Sequence, residues 1–208
     1  LNVSDVRPFY ADADAVHDFD HVLRVARLAH HIARAEGADL SIVQTAALLH
    51  DLGRAEAQTV GADHARVAAA RARNILEGHP QAQVEAVIHA IASHRFRTDP
   101  MPTTLEARVL FDADKLDAIG AIGVARAFAY GGAHGQRLWA PIPSVDVEAW
   151  RKHGDDPENH TPVHEFVVKL SRIKDRMFTA TGRQIAAGRH EAMVASFERL
   201  SKEARGEA

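Results

Sequence analysis

TAALLHDLGR, residues 45–54, carries an unbroken apolar run straight into the adjacent pair His50–Asp51 and then reaches Gly53. Neither this stretch nor any other alternates with period two, so the run reads as a buried helix that Gly53 ends or loosens. Ser41 and Gln44 upstream have the spacing of a capping box and predict where that helix starts. On it, His50 shares a face with Val43, Ala46 and Ala47, the face that must turn inward. The chain thus delivers an ionisable pair to the end of a buried segment.

Outward from this stretch the helix signals repeat. Asp20 to Glu36 is amphipathic and stops at Gly37. A third helix is predicted from about Asp63 to Glu77, closed by Gly78 and Pro80, and a fourth from Gln81 to Phe96, ending in the polar turn Arg97–Pro102. A long fifth helix is predicted from Thr104 to about Tyr130, where Gly131–Gly132 stop it. Residues 133–162 are rich in breakers and lack periodicity, which predicts an irregular excursion. From Val163 two more helices follow, interrupted around Thr181–Gly182. The class is all-α: residues 1–132 form the core domain, 133–162 the excursion, and 163–208 C-terminal helices packing on the same domain.

The 208 residues suit one compact domain, and 46% hydrophobic with 25% charged residues is ordinary for one. There is no cysteine, which excludes disulfides, thiolate metal sites and cysteine nucleophiles. No apolar run reaches the roughly 18 residues needed to span a membrane, and the N-terminal residues show no signal-peptide pattern. A cytoplasmic protein with no membrane partner is therefore expected. A net charge of -3 offers no electrostatic footprint for nucleic acid. A homodimer is compatible with the sequence, which does not otherwise set an oligomeric state.

Fourteen histidines stand out, and their positions matter more than their number. His21 lines up with Val25, Leu28 and Ile32, and Asp114 with Ala107, Leu110, Phe111, Ala118 and Ala121. An inward carboxylate without a partner costs several kcal/mol or takes up a proton. Asp51 adds a second carboxylate, and no Lys or Arg on these stripes is an obvious sole partner. A divalent metal satisfies both carboxylates and both imidazoles together.

His21 in DHVLRVARLA, His50–Asp51 in LLHDLGR and Asp114 in DADKLDAIGAIGVARAF resemble, in this order, the hallmark of HD-domain metal-dependent phosphohydrolases. The last of these segments, the YGGAHG after it and HEFVVKLSRIKDRMFTATGRQIAAGRHEAM are similar to the small bacterial YedJ/YpgQ-type HD hydrolases. The resemblance covers nearly the whole chain. It implies an HD-domain helical bundle with a metal site between core helices, and His21, His50, Asp51 and Asp114 as ligands. It further implies cleavage of a phosphoester or phosphoanhydride of a nucleotide or other small phosphate by a metal-bound water, in these relatives as nucleoside triphosphate pyrophosphohydrolysis. Ligand softness favours Mn²⁺, with Mg²⁺, Fe²⁺, Co²⁺ and Ni²⁺ also compatible.

Around this quartet stand further candidates. His64, on a stripe with Val60, Val67, Ala68 and Ile75, and His94, with Val87, Ala90 and Ile91, are read as catalytic: they bind phosphate, shuttle protons or hold a second metal. Asp117, one turn beyond Asp114, is a candidate base. Arg24, one turn from His21, and Lys115 are candidate phosphate ligands. His89 shares a mixed surface with Glu85, Ser93 and Phe96, and His31 a polar face with Arg27 and Arg34, which sets both apart. Some HD nucleotidases carry a glutamate three residues after the His-Asp aspartate. Here Arg54 stands in that place, which moves the base role to His64, His94 or Asp117. The Gly-Tyr-Pro signature of cyclic-dinucleotide enzymes is missing. Two alternatives remain open, an HD-type di-iron oxygenase and a non-catalytic metal- or ligand-binding HD module.

Overall fold

The computed structural model describes residues 1–10, 19–95, 100–141 and 160–208. The expected end of the fourth helix at Phe96, the first half of the turn after it, and residues 142–159 of the expected excursion lie outside the described residues. Ten α-helices, and no strand, are found among the described residues: α1 (Val3–Val6), α2 (Phe19–Glu36), α3 (Leu40–Leu49), α4 (Arg54–Thr59), α5 (His64–Ile75), α6 (Gln81–Ala92), α7 (Leu105–Leu116), α8 (Gly120–Ala133), α9 (Pro162–Val168) and α10 (Ala180–Ala204). Short 3₁₀ segments cover Arg7–Tyr10 and Leu170–Arg176. No helix among them is long and apolar enough to cross a membrane. The all-α expectation holds.

The chain divides into two compact units, residues 1–117 with 177–182, and residues 118–176 with 183–208. In the first, α3 is the central element and packs against α2, α6 and α7, while α5 packs on α6. Its position follows from its composition, since Val43 and the run Ala46–Leu49 are fully buried. The helix α2 instead buries one stripe, His21, Val22, Val25, Ala29, Ile32 and Ala33, and leaves Arg27, His31 and Arg34 in water.

Several boundaries differ from the sequence expectation, each for a local reason. Asp39, rather than a Ser41–Gln44 box, begins α3: its carboxylate accepts from the backbone N–H of Ser41 at 2.8 Å and of Ile42 at 3.2 Å. Val60 is exposed at the end of α4 and does not extend the His64 stripe. The predicted fifth helix is two helices. Asp117 caps α7 and Gly120 takes a left-handed φ of 79°, so the stripe carrying Asp114 ends before Ala118. The C-terminal interruption falls at residues 177–179, and Thr181 and Gly182 lie inside α10.

That interruption is organised by Asp112, a fully buried carboxylate that the sequence reading passed over. Asp112 accepts from the backbone N–H of Phe178 (2.9 Å) and Thr179 (2.8 Å) and from the Thr179 hydroxyl (2.7 Å). Thr179 in turn accepts from the Gly182 N–H at 2.9 Å, capping α10. A Cβ at Gly182 would sit 2.3 Å from the Asp112 carboxylate, so only glycine allows this approach. Glu36 accepts from the Thr181 N–H, and the rings of Phe111 and Phe178 meet edge to face at 5.0 Å, which ties the segment to α2 and α7.

In the second unit, Phe166 and Phe128 stack on Phe197 at 4.6 and 6.0 Å, and Met193 and Ala186 of the same helix as Phe197 are fully buried. Gly123 lets the chain double back, since a Cβ there would meet the Ala118 carbonyl at 2.3 Å.

Asp112→Ala is expected to lower the unfolding free energy by about 2–4 kcal/mol, because it strands two buried N–H donors and a hydroxyl. Urea denaturation measures this, and a loss under about 0.5 kcal/mol would contradict the capping role.

Candidate metal centre

All six histidine and aspartate side chains that meet in the first unit come from helix ends. His21 lies in the first turn of α2, His50 caps α3, and Asp51 follows it. His64 opens α5 behind its N-cap Asp63, His94 follows α6 by two residues, and Asp114 lies in the last turn of α7. His21, His50, Asp51 and His94 are buried; Asp114 and His64 are partly open, with side chains 14% and 20% exposed.

Asp51 is at the middle of the group. Its Oδ2 faces Nε2 of His21 at 3.6 Å and Nε2 of His50 at 3.8 Å. Its Oδ1 faces Nε2 of His64 and Nε2 of His94, each at 3.9 Å. Asp114 adds Oδ1, 3.6 Å from His21 Nε2 and 4.0 Å from His50 Nε2. The expected quartet of His21, His50, Asp51 and Asp114 is therefore brought together, and His64, Asp51 and His94 form an adjoining second group.

Three of the four rings are held from behind. His21 Nδ1 is bonded to Asp117 Oδ2 at 2.7 Å, His50 Nδ1 to the Ala47 carbonyl at 2.8 Å, and His94 Nδ1 to the Ile91 carbonyl at 2.6 Å. Each Nδ1 thus carries its proton outward, and each Nε2 turns a lone pair on the carboxylates. Contacts of 3.6–4.0 Å are too long for hydrogen bonds. They are close to the spacing of about 3.0–3.4 Å between neighbouring atoms that share a metal about 2.1 Å away. The donor set, imidazole nitrogen and carboxylate oxygen without sulfur, fits a first-row divalent ion or magnesium.

The electrostatics suit the same role. Burial, with further effects from neighbours, lowers the pKa of His50, takes His64 down to about 4 and takes His94 down to about 3, so these rings are neutral near pH 7, as a metal ligand must be. Burial by itself would raise the Asp51 carboxyl, but His50, Arg54, His21 and His94 together hold it far below the usual range. Asp114 is likewise held down by Lys115 and the histidines against the effect of burial.

The cations come from places that same-face spacing does not reveal. Arg54, the first residue of α4, donates to both Asp51 oxygens, at 2.9 and 3.2 Å. Lys115 sits directly on Asp114 Oδ2. Each carboxylate of the centre therefore has a cation beside it, from positions where same-face spacing offered no obvious sole partner. Asp117 is 1% exposed and lies behind His21, away from the carboxylates, with Arg24 bonded to it through Nε at 2.8 Å and Nη2 at 3.1 Å. His89 lies apart, bonded to Thr103.

The family model described as HD domain matches residues 18–119, the stretch that supplies every one of these side chains. The YpgQ protein of Bacillus subtilis (strain 168) is 35% identical over 205 residues, covering 97% of this chain and 91% of that one. The crystal structure of Bacillus subtilis YpgQ in complex with ADP superposes with a TM-score of 0.73 at 32% identity, covering both chains fully. That of an HD-superfamily hydrolase from Bacillus thuringiensis gives 0.73 at 30% identity, covering 98% of this chain and 94% of that one. Ribonuclease Y of Chloroflexus aurantiacus is 40% identical over 96 residues, only 17% of its own length. The chain belongs to the HD-domain family. Its whole-length likeness is to YpgQ and to HD-superfamily hydrolases.

These pKa directions set an acid limit for the metal-stripped protein. Below pH 6.5 the unfolded chain protonates His50, His64 and His94 while the folded chain does not, so stability falls as pH drops. Asp51 and Asp114 add stability that is complete above pH 3.8 and lost below it. The melting temperature is expected to fall steadily from pH 7 to pH 4, and less steeply in His94→Gln. A melting temperature that stays flat between pH 7 and 4.5 would contradict the burial of neutral imidazoles.

Proposed function

We propose that this protein is a cytoplasmic metal-dependent phosphohydrolase that cleaves a phosphoester or phosphoanhydride of a nucleotide. The observation that carries the reading is the convergence of four imidazole Nε2 atoms on the two buried oxygens of Asp51, with Asp114 beside them. The ADP held by YpgQ, similar over the full chain, supports a nucleotide as the phosphate compound.

His21, His50, Asp51 and Asp114 hold the ion, with Mn²⁺ favoured over Mg²⁺, Fe²⁺, Co²⁺ and Ni²⁺. Such an ion neutralises charge on a phosphate oxygen and acidifies water. Asp117 fixes the tautomer and direction of His21 and serves as a positioning residue rather than the base. Lys115, beside Asp114, supplies positive charge for the phosphate, whereas Arg24, bonded to Asp117 behind His21, helps to hold that ring. His64 is neutral at pH 7 and the more open of the second pair, so it is placed to take a proton from water or to join His94 and Asp51 around a second ion. That second group also favours the alternative of an HD-type di-iron oxygenase.

Metal-stripped protein with Mn²⁺, Mg²⁺, Co²⁺ or Ni²⁺ restored is expected to release phosphate or pyrophosphate from a nucleotide panel, nucleoside triphosphates first. Asp114→Ala is expected to lower the rate at least about 100-fold, since it removes a ligand. Oxygen consumption with Fe²⁺ and no phosphate release would identify the oxygenase instead. Stoichiometric metal binding with neither activity would leave a non-catalytic binding module.

A further inference from the structure

The helix α3 ends at Leu49, so the carbonyls of its last turn have no partner within the helix. Each that is accounted for is met locally and specifically. Ala47 O accepts from the His50 ring, and Leu49 O accepts from the Leu52 N–H at 3.3 Å. Leu48 O, the carbonyl between them, accepts from a residue 38 positions away: the Tyr10 hydroxyl donates to it at 2.8 Å. One buried hydroxyl therefore bonds to the last turn of α3, two residues before His50 and three before the central aspartate. Burial keeps that phenol protonated, and so a donor.

The other side of the same ring meets the centre's second helix. Tyr10 packs on Phe19 at 5.5 Å, and Phe19 begins α2 two residues before His21. Arg7 lies over the opposite partner, 5.0 Å from the Phe19 ring. Tyr10 is 8% exposed and touches none of the ligand atoms. A phenylalanine would fill the same space, so volume alone does not call for the hydroxyl.

We propose that Tyr10 is a positioning residue for the metal centre, whose hydroxyl locks the turn that carries His50 and Asp51 and whose ring sets that turn against the start of the His21 helix. It acts on the ligands through backbone, as outer partners of metal ligands do through side chains. Without the hydroxyl, Leu48 O loses its partner in a buried place, and the turn relaxes to find another. The ligand atoms then spread, and affinity for the ion falls before the fold does.

The inference rests on reading the centre as a metal site, and direct metal binding tests it without requiring turnover. Metal-stripped wild type, Tyr10→Phe and Val6→Ala are titrated with Mn²⁺ by calorimetry, with circular dichroism to show the helices intact and hydrogen exchange to follow residues 48–54. Val6 is fully buried in the same N-terminal segment and has no bond to the turn, so its truncation reports general loosening. Tyr10→Phe is expected to weaken Mn²⁺ binding about 10-fold, with faster exchange at 48–54, while Val6→Ala binds as wild type does. Equal affinity in wild type and Tyr10→Phe, or an equal fall in both variants, overturns the proposal. So does a Tyr10→Phe chain that loses its helices, since the hydroxyl would then serve the fold. Wild type that binds no Mn²⁺ overturns the metal reading itself.

Discussion

Asp51 is a carboxylate with both oxygens turned into the protein, and everything around it answers the cost of putting it there. An isolated charge in such a place costs several kcal/mol, which usually forces protonation. Here it stays ionised, with His50, Arg54, His21 and His94 beside it holding its pKa down against burial. Burial lowers the pKa of His50, His64 and His94, so near pH 7 these three offer lone pairs, and Arg54 is the fixed positive charge. A negative centre ringed by lone pairs has one natural complement, a cation small enough to sit among them. The frame of α2, α3, α5, α6 and α7 brings five helix ends to this point, and each end supplies one or two of the polar groups.

Using helix ends has a chemical consequence. Carbonyls left without partners in the last turns of α3 and α6 accept from the Nδ1 atoms of His50 and His94, so ending a helix and orienting a ligand are one event. His21 sits at a helix start, where there are no such carbonyls. It takes its orientation from Asp117 at the end of α7, and Arg24 in turn satisfies that carboxylate. The same economy recurs at Asp112, whose buried charge caps the start of α10 instead of reaching the centre. Two aspartates two residues apart on α7 therefore serve different ends: Asp112 holds the fold, and Asp114 faces the histidines.

The all-helical class and the meeting of His21, His50, Asp51 and Asp114 were legible in the sequence because a polar residue on an apolar stripe is conspicuous by its cost. His21, His50 and Asp114 stand out in that way, and the adjacent Asp51 follows from His50. The reading was weaker wherever a partner came from off the stripe. Arg54 and Lys115 reach the carboxylates from the start of the next helix and from a neighbouring helix position, which face periodicity does not register. Asp117 was placed on the right helix, yet its direction depends on the break at Gly120, and a run of alanines and glycines hides that break. Asp112 shares its segment with Asp114, and nothing local distinguishes a capping carboxylate from a ligating one. Tyr10 left no signal, since its hydrogen-bond partner is 38 residues away. Contacts between distant segments are the part of a fold that periodicity does not contain.

The most direct measurement is the number of ions bound per chain, by calorimetric titration of metal-stripped protein with Mn²⁺ together with elemental analysis, in wild type and Asp51→Asn. Because Asp51 alone faces both histidine pairs, wild type should bind at least one ion and Asp51→Asn should retain none. Full binding by Asp51→Asn, or no binding by wild type, would contradict a centre built around that carboxylate.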